Sequence, residues 1–476
     1  MQRSPILFWA LFFLIGCGIV LHPHWVYTIP VIGLLFLTRR KTQGLLFLVV
    51  GVMYTMVRCS SLDVQELEGR GIFQLEKIQP IASPFQRSFA LKGKLLCFES
   101  EEKSFQHVPC MILQKRVPKS GTRWILEGKL VDGILKVNKR AVWQEVKAPF
   151  SLVRWRFKNK EAIRKYFGKK VDDQHVGHFF ASIATGDIND RLLAMEFRKV
   201  GLGHILAISG FHFALIAAMV GGLLYLILPQ RWAYGILLGF LGIYYLFLGF
   251  SPSIFRAFLM IALFVIGRLL HRRIDVCNLL GAALLTELAI DPGVAMQVGF
   301  QLSFLATMGI LVFYHPMHRI LEKLLPIRSF AEAKKMGRID QHGYLLAAAI
   351  RKGAALNFSV HLVTLPVVLY VFHSFPMLSL VYNLILPPFL GFSMLLLPLG
   401  ILLPPLGALN AKFTGFLLQM IANPPELLHY QVFVGNIPYP ILIVILTLIG
   451  LFGLTKRLKT GQNVVLYTSQ FLNHDV

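Results

Sequence analysis

The chain reads as a polytopic α-helical membrane protein of about 12 spans that carries one small extracytoplasmic β-barrel domain, OB-like in type. Three observations lead there. Apolar runs of about 17–25 residues recur along the sequence, the length that matches the hydrocarbon core of a bilayer. Of the 476 residues, 55% are hydrophobic and only 15% charged, more apolar surface than a soluble domain of this size buries. Between residues 58 and 170 the pattern changes to short segments with polar turns. The formal net charge of +24 discriminates less, because membrane-flanking loops and attraction to anionic lipid produce the same excess as nucleic-acid binding.

Three apolar runs, at 6–20, 26–37 and 45–57, make residues 1–57 a set of N-terminal transmembrane helices. The first follows Arg3 like a signal peptide, but Leu21-His22-Pro23-His24 offers no small-residue cleavage site, so it is read as an uncleaved anchor. Arg39-Arg40-Lys41 places the next turn in the cytoplasm. The amino terminus is then cytoplasmic, and residues 58–175 are extracytoplasmic. The second run is short, so a re-entrant pair is the alternative.

Residues 58–150 form the β domain. A strand pair is expected at 89–98 and 108–113, and a hairpin at 124–130 and 134–137 around Val131-Asp132-Gly133. Short strands of this kind suit a small barrel, with the OB-fold as one candidate. Residues 58–170 hold roughly two basic side chains for each acidic one, a surplus suited to a phosphate backbone. Trp124, Trp143, Phe98 and Phe105 are candidates for stacking on bases, although Trp124 and Phe98 are expected in the barrel core. Of the five cysteines, Cys97 and Cys110 lie near the facing ends of the strand pair and are disulfide candidates, with Cys59 as a competing partner. No CxxC occurs and the cysteine spacing resembles no zinc site, so neither metal nor cofactor is expected.

Residues 151–175 are read as a basic amphipathic interfacial helix, with Leu152, Trp155, Ile163 and Tyr166 near one face and basic residues elsewhere. The alternative is a collar of positive charge at a pore mouth. Residues 177–188 are apolar but too short to span, and are read as re-entrant. Asp190 is the expected N-cap of a helix over 191–200, with Gly201 as its C′ residue. Asp187 is given a turn or capping role.

Nine more spans follow near 204–228, 232–250, 254–270, 276–290, 294–314, 345–372, 377–397, 399–421 and 438–455. Residues 176–455 are thus one transmembrane domain, and 456–476 a short cytoplasmic tail. The orientation has an independent check. Arg231, His271-Arg272-Arg273, the stretch 319–352 and Lys456-Arg457-Lys459 all fall on the cytoplasmic side by alternation. The connections at Ser251-Pro252, Asp291-Pro292 and 423–438 are almost free of basic residues and fall outside.

Several polar residues interrupt these spans. His204, Ser209, Gly210 and His212 lie in one run, where polarity at membrane depth is costly and faces either a bundle interior or a water-filled path. Gly210 also permits a bend or break. A helix-packing face is the competing reading. Ser251-Pro252 caps and opens a helix, with Arg256 just over one turn inside, placed to snorkel or to contact a phosphate. Gln301, Ser303 and Thr307 occur together, but only Ser303 and Thr307 share a face at i, i+4. Asn383 precedes Pro387-Pro388, where a broken helix is expected.

The run GLGHILAISGFHFALI, from Gly201, resembles the signature of the ComEC-type competence family, membrane proteins that pass single-stranded DNA into the cytoplasm. The resemblance continues through residues 256–285, 291–310, 361–376 and 383–389, five ordered blocks over about 200 residues. It also includes Thr185-Gly186-Asp187. It implies an OB-like domain at this position and an inner-membrane channel in the bacterial cytoplasmic membrane that serves DNA uptake. His204, Ser209, Gly210, His212, Arg256, Gln301, Ser303 and Asn383 are its channel-lining or DNA-contacting candidates. Single-stranded DNA and membrane lipid are the expected partners. Family members commonly end in a metallo-β-lactamase-like domain, whose HxHxDH cluster is absent from this sequence. No Walker loop, GxSxG or HExxH occurs either, so no enzymatic activity is expected. A separate nuclease, a cytoplasmic DNA motor and single-strand-binding proteins are then implied. Two other readings stand beside this one: a transporter or channel for another polar solute, and a pore-less DNA-tethering receptor.

Overall fold

The computed structural model describes residues 4–58, 67–81, 88–100, 104–114, 117–118, 123–131, 134–138, 143–146, 151–188, 190–206, 210–272, 274–328, 332, 335–425 and 430–460. Three helices, α1 (Pro5–Leu21), α2 (Thr28–Leu37) and α3 (Lys41–Arg58), lead into six strands. These are β1 (Leu67–Ile81), β2 (Ser88–Ser100), β3 (Ser104–Gln114), β4 (Arg123–Val131), β5 (Ile134–Val137) and β6 (Gln144–Val146). Next come α4 (Leu152–Lys170), α5 (Gln174–Thr185), α6 (Arg191–Lys199) and the single turn α7 (Gly203–Leu206). The remainder is helical: α8 (Gly210–Ile227), α9 (Gln230–Leu248), α10 (Pro252–Leu269), α11 (Val276–Ile290) and α12 (Val298–Leu324). It ends with α13 (Arg338–Phe372), α14 (Leu378–Leu402), α15 (Pro404–Ala422) and α16 (Tyr439–Thr460), with two short strands, β7 (Ser374–Pro376) and β8 (Gln431–Phe433), between them.

Each of the twelve expected spans is helical, the one from 204 being divided between α7 and α8, but the helices are not equivalent. Among the described residues seven, α8, α9, α10, α12, α13, α14 and α16, are long and apolar enough to cross a membrane. Apolar but shorter segments are α1, α11 and Trp25–Leu37, which includes α2. Lys41, Thr42 and Gln43 dilute the 18 residues of α3, and Asn410, Lys412 and Gln419 the 19 of α15. The last five therefore depend on neighbours: α1 packs against both α3 and α11, sharing a core of Leu7, Phe8, Phe12, Leu280, Leu284, Phe300 and Phe304.

The strands close a five-stranded barrel in the order β1-β2-β3-β5-β4, with β4 returning to pair with β1 and β6 appended to β4. All contacts are antiparallel except β3 with β5, at Met111 and Ile134. That closed Greek-key order is OB-like, as expected. The β4–β5 hairpin pairs Val131 with Ile134 as the sequence indicated. Not foreseen was β1, 15 residues long. Its inward residues Gly71, Phe73 and Leu75 alternate, then Ile78 follows a register shift between Leu75 and Lys77, so no single period of two spans the strand. Phe98 and Trp124 are buried in the barrel core, Trp124 lying 6.3 Å from the Phe73 ring. Trp143 meets the edge of Trp124 at 5.4 Å, and the Phe105 side chain lies outside the described residues.

The disulfide expectation does not hold. Gly93 faces Cys110 across the ladder and Cys97 faces Gln106, which sets the two cysteines four residues apart along the strands, about 13 Å. Both are free thiols, and Cys59 lies outside the described residues. A bridge needs Cα atoms less than about 7 Å apart.

Helix ends meet in two separate sets. In one, Ser4 Oγ donates to Asp275 at 3.0 Å, the Arg457 guanidinium meets Cys277, and Arg351 Nη1 donates to the Leu325 carbonyl at 2.6 Å. In the other, Tyr54 and Arg58 at the end of α3 donate to the carbonyls of Ala289 and Ile290, Tyr27 meets Tyr439, and β7 pairs with β8.

Candidate functional site

The polar interruptions converge where α7, α8, α10, α12, α13 and α14 approach one another. Asp190 accepts from the Leu192 and Leu193 amides at 2.9 and 3.3 Å and so caps α6. Gly201, at φ +75°, ends it, as the sequence indicated. A Cβ at Gly201 would lie 2.4 Å from Ser379 Cβ, so this glycine also seats the turn before α7 against α14. The expected span beginning at 204 is described over α7, which reaches Leu206, and α8, which is described from Gly210. Ser209 lies outside the described residues.

Arg256 is the centre of the arrangement. Pro252 opens α10 and puts Arg256 one turn inside, although Ser251 makes no side-chain cap. Its Nε donates to Ser303 Oγ at 2.9 Å, and its Nη1 donates to Thr307 Oγ1 and lies 3.9 Å from Met260 Sδ. Its guanidinium carbon sits 5.8 Å from the Phe304 ring centre. The i, i+4 pair on α12 is therefore a two-point acceptor for one guanidinium, which fixes its plane. Nη2 points the other way, towards the start of α8, where a Cβ on Gly210 would be 2.8 Å from it. Among the described residues Nη2 has no acceptor, whereas the Gly210 amide donates to Ser253 Oγ at 3.2 Å.

A second group lies beside this one. His204 is exposed although Ile205 and Leu206 next to it are buried, while His212 is buried. His204 interacts electrostatically with both His212 and His361. Asn357 Nδ2 donates to the Leu380 carbonyl at 2.6 Å and ties α13 to α14, and the Asn357 carbonyl meets His361 Nδ1 at 2.9 Å. Asn383 Oδ1 and Ser379 Oγ are buried without partners among the described residues. The break expected at Pro387-Pro388 is not present: α14 is continuous through Pro387, Pro388 and Pro398. Proline removes one helical donor without ending the helix here, so the Asn383 carbonyl loses its partner at Pro387 and adds polarity to the same wall.

The remaining predicted residue stands apart. Gln301 turns back and donates to the Ala295 carbonyl at 2.9 Å, closing the turn before α12. His361, Ser253 and Glu287 belong to the site region but were not singled out from sequence. Each is a polar or ionisable residue inside an apolar run, which is the signal that found His204 and His212. A cavity of about 610 Å³ lies elsewhere, between the α4–α5 turn (Lys170, Asp172) and the α14–α15 hairpin (Gly400, Lys412).

Helix α4 docks differently from a simple surface helix. Trp155 and Tyr166 are exposed, while Arg156 and Lys160 are 8% and 5% exposed and face inward. Asp187 holds Lys160 at 3.2 Å and Arg164 at 2.9 Å, and Lys160 also donates to the Leu248 carbonyl at 3.0 Å. Arg156 donates to the Leu246 carbonyl and lies 5.5 Å from the Phe250 ring. The cations thus engage the carbonyl end of α9, where positive charge is favoured. Burial lowers the Lys160 pKa, and Asp187 opposes that shift.

A helical bundle with, among the described residues, seven segments long and apolar enough to cross a membrane, joined to an OB-like barrel and holding a buried arginine between helices, defines a multi-pass membrane protein. The chain belongs to the Competence protein family, whose model matches residues 187–459. ComE operon protein 3 of Bacillus subtilis (strain 168) is 26% identical over 216 residues, covering 44% of this chain and 24% of that protein. No solved structure matches the chain.

Proposed function

We propose that this protein passes single-stranded DNA inward through the cytoplasmic membrane, with no chemistry of its own. The observation that carries the reading is Arg256. Ser303 and Thr307 fix two faces of its guanidinium, and the third is turned towards Gly210 at the start of α8. A guanidinium so held suits a phosphate oxygen, since its donors need no reordering on contact. The exposed His204 supplies a weak contact of the kind that suits a strand that must move on rather than stop. Membership in the family supports DNA as the cargo, and a separate cytoplasmic motor supplies the pull.

The two sets of helix-end contacts support the proposed orientation. The set containing Ser4, Asp275, Arg351 and Arg457 is the one that the basic connections assign to the cytoplasm. The set containing Arg58, Ile290, β7 and β8 is the one assigned outside, together with the barrel.

The test is internalisation of labelled DNA by a deletion strain complemented with variants. Wild type restores uptake. Arg256→Ala lowers it by about tenfold or more, the cost of losing a charged hydrogen bond. Arg256→Lys fails similarly, because an ammonium cannot span Ser303 and Thr307 while facing Gly210. Normal uptake in the deletion strain defeats the reading, and lost import of a small polar solute in its place supports a solute transporter.

A further inference from the structure

Glu287 lies on α11 between Leu284 and Leu288, which belong to the apolar core that also includes Phe300 and Phe304. It is 5% exposed, and its Oε2 is buried without a hydrogen-bond partner among the described residues. Few environments treat a carboxylate worse, because an unpaired buried charge is expelled or neutralised. The counter-charge is Arg256: α10 packs on α11, the guanidinium rests over Phe304 of the same core, and Arg256 and Glu287 interact electrostatically. They make no direct ion pair, since Ser303 and Thr307 hold the guanidinium. The other titratable group facing Glu287 is Tyr245 of α9, whose hydroxyl is also buried without a partner. From α3, Tyr54 and Arg58 are spent on the carbonyls of Ala289 and Ile290, and Asp291 caps the turn that follows through its bond to the Gly293 amide. α1 contributes the apolar Leu7 and Phe8 to this core, and the turn before α12 contributes Val294 and Ala295.

We propose that Glu287 is a proton-binding site linked to the anion at Arg256, so that the carboxylate takes up one proton when a phosphate occupies the guanidinium and releases it when the phosphate leaves. The inference rests on the proposed DNA path. While the path is empty, Arg256 serves as the long-range counter-charge of Glu287. A phosphate on Nη2 neutralises that charge, leaving two anions near one cation. Like charges sharing a site drive one of them to protonate. The phosphodiester, a strong acid, stays ionised, so the proton goes from water to the Glu287 carboxylate. No bond other than O–H forms or breaks.

The experiment uses the full chain in lipid nanodiscs with a fluorescent single-stranded oligonucleotide, titrated across pH 5.5 to 10. With wild type, affinity rises as pH falls, by up to about tenfold per pH unit where Glu287 titrates, the slope of one linked proton. Glu287→Gln removes this component and binds at the alkaline end as wild type does at low pH, leaving only the slope due to His204, His212 and His361. A second measurement needs no variant: adding oligonucleotide to wild type in weak buffer at the alkaline end takes up about one proton per strand bound. An unchanged slope in Glu287→Gln, or binding without proton uptake, overturns the proposal and leaves the DNA path standing. Failure of wild type to bind the oligonucleotide at any pH, with the protein folded, overturns the DNA path itself.

Discussion

At the scale of single residues, the site is built from two residues that constrain each other. Arg256 comes so close to Gly210 that a methyl group there meets Nη2 at 2.8 Å, and the guanidinium cannot yield without leaving Ser303 or Thr307. Burial acts as sharply in the barrel. It pushes the Cys110 thiol up to about 12, so at pH 8 only about one molecule in ten thousand carries the reactive thiolate there. Cys97, half-exposed, has no such protection. Maleimide labelling of the folded protein at pH 8 is therefore expected at Cys97 and not at Cys110, with Cys110 labelling only on unfolding. Recovery of a peptide bridged between Cys97 and Cys110 from the unreduced protein contradicts this. The strand pair was legible because β-forming residues cluster at 89–98 and 108–113. Its register was not, since a ladder slides without changing either strand's composition.

At the scale of elements, α4 is the instructive one. Its apolar residues fall near one face, and that spacing suggested a helix lying on lipid. The fold instead buries Arg156 and Lys160, because Asp187 and the open carbonyls of α9 are there to receive them. Those partners lie 27 to 90 residues away in sequence, beyond the reach of any local pattern. Asp187 carries the joint, and Asp187→Asn leaves Lys160 and Arg164 buried without their carboxylate, a loss of about 3–5 kcal/mol. The expected result is a lower melting temperature in detergent and faster protease cutting near residue 150, before α4. Unchanged melting and cutting show that the joint is held by packing alone. The caps at Asp190 and Gly201, in contrast, were readable in advance, since a cap is decided within four residues. The prolines of α14 misled because a missing donor bends a helix only if its neighbours let it.

At the scale of the molecule, hydropathy located all twelve helical segments but not which of them are long and apolar enough to stand alone in a bilayer, because α1, α2, α3, α11 and α15 owe part of their burial to partners distant in sequence. The same holds for the site: polarity inside apolar runs marked its residues, whereas convergence on Arg256 emerged only from packing. Side of the membrane is the property to check next. Single cysteines placed at residues 252, 297 and 435, in a background without the native five, are expected to react with a membrane-impermeant maleimide from outside intact cells. Those at 272 and 337 react only after permeabilisation, and the reverse pattern inverts the proposed orientation. One detail of the fold then constrains how any passage opens. The pairing of Ser374–Pro376 with Gln431–Phe433 staples the connection after α13 to the one before α16. Helices α13 and α16 are thereby tied together at that end, and they can part there only if the two short strands first come apart.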